Sequence, residues 1–282
     1  MIRAIRSLGL YSLVTLLLLS ACQFTVQPEA MTSTETEEHA EAGGEEHAEG
    51  HDVHWAYEGE DGPDHWGALT DKYALCASGL EQSPINLTSA SGENLPDITF
   101  NYQPSALKIG NNGHTVQVDY DPGSFITVDG VDYELKQFHF HSASEHTIDG
   151  VAYPIEMHLV HSTPEGKLAV VGVMIEVGEE NAAFASTWEN APGEMSEAMV
   201  IDGESVNAVD LLPTEGTYFG YTGSLTTPPC SEGVKWHVLT TSVQMSQAQI
   251  DAMASILHSN FRPVQELHER ELDVDTESAT TK

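Results

Sequence analysis

The chain has 282 residues, with 44 Asp or Glu against 10 Lys or Arg, and a formal net charge of -34 at pH 7. Such a surface repels polyanions, which excludes nucleic acid and anionic lipid headgroups as electrostatic partners. The length suits one large domain with tails, and a hydrophobic content of 40% supplies its core.

In chain order, Arg3 and Arg6 precede an apolar run from Leu8 to Leu19 that is short for a bilayer span and built like an export signal. The run closes in Leu19-Ser20-Ala21-Cys22, which resembles the lipobox of bacterial lipoproteins. That resemblance implies removal of residues 1–21 and a lipid on Cys22, anchoring an exported, periplasmic or cell-surface protein to a bacterial membrane. Residues 22–53 are rich in Glu, Ala, Thr, Gly and His, with too few apolar side chains for a core, and read as an acidic, disordered tether. Its His39, His47 and His51 lie among glutamates, and such tracts can hold metal loosely. With Cys22 lipidated, Cys76 and Cys230 remain as a pair in an oxidising compartment and are expected to form a disulfide.

Trp55, Tyr57 and Trp66 open a domain running from 54 to 272. Runs rich in Val, Ile and Thr follow, at Ile98–Tyr102, His114–Tyr120, Phe125–Val128, Leu135–His141, Ile155–His161, Leu168–Val177 and Val234–Val243, punctuated by Gly and Pro turns. Only Ser246–Ser259 reads as a substantial helix, with Ser246 as its cap and Ile250, Met253, Ile256 and Leu257 apolar. The pattern predicts a mainly β fold with a few short helices. Residues 273–282 are polar and read as a frayed tail.

The chemistry concentrates in Gln137-Phe138-His139-Phe140-His141 and Glu156-Met157-His158. On an extended strand Gln137, His139 and His141 share one face and the two phenylalanines the other. A neighbouring strand presenting Glu156, His158 and Val160 would bring a third imidazole alongside, and three neutral histidines leave a tetrahedral Zn2+ with one open position. Gln137 and Glu156 each precede a candidate ligand by two residues, on the same face, where they can fix the imidazole's other nitrogen.

Taken with Gln82-Ser83-Pro84-Ile85-Asn86, Asn112-Gly113-His114, Ser144-Glu145-His146-Thr147, Ser224-Leu225-Thr226-Thr227-Pro228-Pro229 and Asn260-Phe261-Arg262-Pro263, these motifs make the chain resemble an α-class carbonic anhydrase from about His54 to Pro263. The resemblance implies a large twisted, mostly antiparallel central sheet and zinc-dependent interconversion of carbon dioxide and bicarbonate, with His139, His141 and His158 as ligands. It gives Thr226 the role of accepting a hydrogen bond from the attacking hydroxide while donating to Glu145. It also implies that the Thr226 N–H binds anions and sulfonamide inhibitors, that Thr227 contacts bicarbonate, and that Val160, Val170, Leu225 and Trp236 form an apolar wall for carbon dioxide. His114 falls at the family's proton-shuttle position, with Tyr57, Asn112 and Gln117 ordering the intervening waters, and Ser83-Pro84 and Pro228-Pro229 fall where the family has cis peptides. Two departures stand out: Ser142 follows His141 where animal members commonly carry tryptophan, and Gln117 occupies a position often held by asparagine. The sequence leaves a homodimer open. Two rival readings are a non-catalytic carbonic-anhydrase-like binding module, which predicts a broken ligand set, and a surface zinc reservoir in the tether, separable by zinc stoichiometry with and without the residues before His54.

Overall fold

The computed structural model describes residues 53–277 and 281, so the export signal, Cys22 and the tether up to residue 52 lie outside the described residues. Thirteen strands form one sheet: β1 (Ser91–Glu93), β2 (Thr99–Asn101), β3 (Ser105–Asn111), β4 (Val116–Asp119), β5 (Phe125–Val128), β6 (Val131–His141), β7 (Ile155–Ser162), β8 (Leu168–Val177), β9 (Ser196–Val206), β10 (Tyr218–Ser224), β11 (Glu232–Leu239), β12 (Val243–Met245) and β13 (Asp273–Asp275). Their order is β9-β3-β4-β6-β7-β8-β11-β10-β13-β1, with β12 beside β8, β5 beside β6 and β2 beyond β5. Pairing is mostly antiparallel, as expected; the parallel contacts of this sheet are β8 with β11 and β12, and β13 with β1. A second, three-stranded sheet joins Asn86–Leu87, Thr147–Ile148 and Val151–Ala152.

The two faces of β6 and β7 explain the architecture. Phe138, Phe140, Met157 and Leu159 are all fully buried, in the same apolar cluster as Val116, Val118, Val171, Val173 and Phe184. Removing such side chains from water is the largest favourable contribution to folding, and here it anchors the strands whose other face carries the histidines. A second cluster gathers Val170, Val234, Trp236, Val238 and Tyr221, with Val160 and Leu225 packed on it. The helix Gln247–Leu257 buries Ile250, Met253 and Leu257. Its start is a capping box in which Ser246 Oγ accepts from Gln249 N and Gln249 Oε1 accepts from Ser246 N.

Three expectations are corrected. His114 is not on a strand: β4 begins at Val116, because Gly113 at φ +87 and the side chain of Asn112 make a turn that carries His114. The run from Val234 to Val243 divides at Thr240-Thr241-Ser242 into β11 and β12. The tail does not fray at 273, since Asp273–Asp275 pairs with Phe219 and Gly220 on one side and with Ser91–Glu93 on the other. The disulfide expectation holds: Cys76 and Cys230 are bonded, tying a short helix at Leu75–Ser78 to the end of the Thr226-Thr227 loop.

Candidate metal centre

Strand register brings the candidate ligands together. His139 on β6 lies directly opposite His158 on β7, and His141 opposite Glu156, so all three imidazoles project from one face of adjacent antiparallel strands. Their ligand-capable nitrogens lie within 4.8 Å of one another. Each ring is oriented through its other nitrogen: His139 Nδ1–H donates to Gln137 Oε1 at 2.8 Å, His141 Nδ1–H to the Asn260 carbonyl at 2.7 Å, and His158 Nε2–H to Glu156 Oε1 at 2.8 Å. Because those three partners are acceptors, the tautomers follow, and His139 Nε2, His141 Nε2 and His158 Nδ1 are left as lone pairs.

The electrostatics favour neutral rings. Burial, with the other two imidazoles adding, holds the His139 pKa well below its usual range, and burial brings His141 down to about 4 against the opposing Asn260 carbonyl. Burial also lowers His158, opposed by Glu156. His141 Nε2 is fully buried with no hydrogen-bond partner, a costly arrangement unless something accepts its lone pair. The donor set therefore fits a divalent cation that takes three imidazoles, and zinc is such a cation.

A second cluster, His146, Glu156 and His158, is also close enough to suggest a metal, but its atoms are already paired. Glu156 Oε1 accepts from His158 and from His146 Nδ1, while Oε2 accepts from the backbone N–H groups of Glu145 and His146, each at 2.9 Å. His146 Nε2 in turn accepts from Tyr221 at 2.6 Å, and Tyr221 meets Ser83 Oγ at 2.9 Å. Burial pushes the Glu156 carboxyl up, yet His146 and His158 bring its pKa well below the usual value. Gly172 makes room for this network, since a Cβ there would sit 3.1 Å from Glu156 Oε1.

Glu145 is 1% exposed and faces the lone-pair side of the candidate ligands, with Oε2 at 3.5 Å from His141 Nε2 and 3.8 Å from His158 Nδ1. Oε1 accepts from the Arg262 N–H at 2.9 Å, whereas Oε2 has no partner at hydrogen-bond distance. Burial pushes the carboxyl up to about 7, with His158, the nearby Thr226 hydroxyl and the Arg262 N–H pulling the other way. Thr226 is buried in the loop that leaves β10, where Leu225 N donates to Ser231 O and Cys230 N to Thr227 O.

The remaining candidates surround this centre. Val160, Val170 and Trp236 form a row across β7, β8 and β11 by register, and the Trp236 ring packs 4.9 Å from that of His158. A cavity of about 130 Å³ is lined by Trp55, Tyr57, Asn112, His114, Gln117, Gln137, His139, His141 and Thr227, and so connects the histidines to the His114 turn. His114 is half-buried and stacks on Trp55 with ring centroids 3.7 Å apart, and burial lowers its pKa, with His54 adding. Two of the expected water-ordering amides are already engaged: Asn112 Oδ1 accepts from His114 N and Thr115 N, and Gln117 Nε2 donates to Asp119. Sequence reasoning missed the parts played by Asn260, His146, Tyr221 and Arg262; the Asn-Phe-Arg-Pro motif marked two of them without a role.

A profile of the family described as "Eukaryotic-type carbonic anhydrase" matches residues 61–276. A carbonic anhydrase of Nostoc sp. is 42% identical over 223 residues, covering 77% of this chain and 84% of its own. Among solved structures, a hyperthermostable carbonic anhydrase identified from an active hydrothermal vent chimney superposes with a TM-score of 0.76 at 45% identity, over 78% of this chain and 99% of that one. The α-carbonic anhydrase of Thermovibrio ammonificans in complex with the inhibitor sulfanilamide gives a TM-score of 0.76 at 40% identity, over the same shares. The chain belongs to the eukaryotic-type, or α-class, carbonic anhydrase family, whose enzymes hydrate carbon dioxide reversibly to bicarbonate and a proton.

Proposed function

We propose that Zn2+ is the resident metal of this carbonic anhydrase and that His139 Nε2, His141 Nε2 and His158 Nδ1 hold it. The observation that carries the reading is the fully buried His141 Nε2, without a partner and within reach of two other free imidazole nitrogens. Zinc held by neutral ligands supplies the Lewis acidity that makes water a nucleophile at neutral pH.

The rest is the work of this chain's side chains. The Thr226 hydroxyl accepts a hydrogen bond from the attacking oxygen and donates its own proton to Glu145 Oε2, aiming a lone pair at the carbon of the substrate. The Arg262 N–H on Glu145 Oε1 favours the ionised carboxylate that this requires. Val160, Val170, Leu225 and Trp236 seat carbon dioxide, which is linear, uncharged and poorly served by polar walls. Thr227 and the Thr226 N–H receive bicarbonate, and the same N–H receives anions and sulfonamides, as the sulfanilamide complex of the Thermovibrio enzyme encourages.

Once product has left, a proton must reach solvent, and an imidazole is the side chain whose pKa suits that transfer at neutral pH. His114 has the position, on an exposed turn at the other end of the cavity that His139 and His141 line. Replacing His114 with Ala is expected to lower kcat about tenfold in weak buffer, less than general acid–base groups commonly contribute because water and buffer still carry protons. Imidazole added to the assay should restore it while kcat/KM stays unchanged. Equal rates of wild type and variant in weak buffer would mean that protons leave by another route.

We also propose that the protein is exported and lipid-anchored through Cys22. Among the described residues no helix is long and apolar enough to cross a membrane, and the run before Cys22 has the charge and length of a signal. Cys22→Ser should shift the protein from the detergent phase to the aqueous phase on partitioning. A wild-type protein already found in the aqueous phase would remove the anchor.

A further inference from the structure

Asn260 stands apart from the sheet, just beyond the helix Gln247–Leu257, and is 3% exposed. Its carbonyl holds the His141 ring, but its side chain is engaged elsewhere. Oδ1 accepts from Ser142 N at 2.8 Å, and Nδ2 donates to the Phe140 carbonyl at 2.9 Å and to the His114 carbonyl at 3.0 Å. Its own N–H donates to the Ser142 carbonyl at 3.2 Å. The amide thus uses its acceptor and both its protons, all on backbone atoms, leaving no polar group of the buried side chain unsatisfied.

Two of those backbone groups flank His141 in the chain, and the third belongs to the turn that carries His114. That turn joins the paired strands β3 and β4, and the Asn112 N–H donates to the Thr115 carbonyl at 3.1 Å to close it. Asn112 and Gly113 are exposed, and Gly113 holds a positive φ. The Asn111 and Asn112 side chains cap it from within, Thr115 Oγ1 exchanges hydrogen bonds with the Phe140 backbone, and Trp55 and Tyr57 pack on the His114 ring; of the named contacts, only those of Asn260 and Thr115 reach the strand beside His141.

We infer that the Asn260 side chain is a positioning residue for proton transfer, locking the His114 turn at a set distance from the end of the strand that carries His139 and His141. The inference rests on His114 being the proton acceptor. Its physical content is that transfer through ordered water falls steeply as donor and acceptor drift, so a buried amide that bridges the two elements keeps the path short. The His141 ring is held by the Asn260 main-chain carbonyl, which no side-chain substitution removes, so metal binding and proton transfer can be separated.

The test uses the full-length, zinc-loaded enzyme in stopped-flow hydration assays. Asn260→Asp keeps the shape and the oxygen facing Ser142 N, but sets a second oxygen against the Phe140 and His114 carbonyls in place of the two-proton donor. It should retain zinc, keep kcat/KM within about twofold, and lose about tenfold in kcat in weak buffer, the scale on which outer partners of an active-site group act. Added imidazole should restore kcat. Combined with His114→Ala it should be no slower than His114→Ala alone, because both changes interrupt one step.

A variant as fast as wild type in weak buffer would overturn the inference. So would a proportional loss of kcat and kcat/KM that imidazole does not repair, which marks a structural role only, or additive losses in the double variant. Where the Asp variant does not fold, Asn260→Ser, which leaves a small void instead of a charge, carries the same expectations. Should His114→Ala itself run at the wild-type rate in weak buffer, the shuttle reading falls and this inference falls with it; a slow His114→Ala beside a normal Asn260 variant sinks the inference alone.

Discussion

Alanine at position 139 empties the metal site: H139A purified without added metal should hold well under one equivalent of zinc and show almost no carbon dioxide hydration. The expected loss exceeds the roughly 10- to 100-fold that removal of a partner behind a ligand costs, because on the proposed assignment a ligand atom itself is gone and two imidazoles cannot close a tetrahedral site. The fold should survive. His139 lies on the cavity side of β6, while the opposite face of that strand is held in the core by Phe138 and Phe140, both fully buried. A circular dichroism spectrum matching wild type, with zinc content near zero, is the predicted pair of results. An H139A protein with stoichiometric zinc and full activity would remove His139 from the ligand set.

The second large effect concerns Thr226 and Glu145. T226A should keep its zinc and lose about 10²-fold in kcat/KM, the scale seen when a preorganised hydrogen bond to the reacting oxygen is deleted. E145Q should fall by a similar factor, since the amide presents N–H where the Thr226 proton must go, or turns the N–H toward the Arg262 N–H instead. On the proposed roles the two residues serve one step, so T226A/E145Q should be little slower than either single variant. Kinetics at saturating buffer isolate this step from proton export. Independent, multiplicative losses would mean that Thr226 and Glu145 serve separate purposes.

The candidate site was legible to the extent that it depends on strand alternation. His139, His141, Gln137, Glu156 and His158 share faces because of the two-residue period, and the Glu-Met-His run reads as the partner strand without further information. The resemblance to a known family added Thr226, Glu145 and His114, whose tetrapeptides alone look like ordinary turns. What the sequence could not express is pairing across long separations. Asn260 reaches Phe140, His141 and Ser142 from about 120 positions away, and Arg262 reaches Gln82 and Cys76 from more than 170. Neither residue carries a local signal of that role: most of these bonds go to backbone atoms, which are alike in every residue, and the two that meet side chains, Asn260 O with the His141 ring and Arg262 with Gln82 Oε1, depend on pairings that only the fold creates.

Strand recognition failed for related reasons. Ser105–Asn111 alternates in burial from Ser105 to Ile109, but only Leu107 and Ile109 are large apolar residues before Gly110 and Asn111 end the pattern, and Ser196–Val206 is largely exposed with no clean alternation, so neither stands out as a strand. Tyr218–Ser224 includes Gly220 and Gly223; a Cβ at Gly223 would come within 2.1 Å of Ser83 Oγ, so glycine there serves close packing beside β10 while erasing the β signal. The polar Asp273–Asp275 is a strand because it lies between two others, a property of topology that composition cannot show.

The most direct measurement follows zinc content and carbon dioxide hydration together while metal is withdrawn with a chelator and then returned to the full-length protein. The account predicts that activity falls in step with zinc lost from the domain and returns in step with a single equivalent rebound, as expected when metal and deprotonated ligands form one catalytic centre. Full hydration activity in protein stripped of zinc, or recovery that needs several equivalents taken up by the Glu/His tether first, would contradict it.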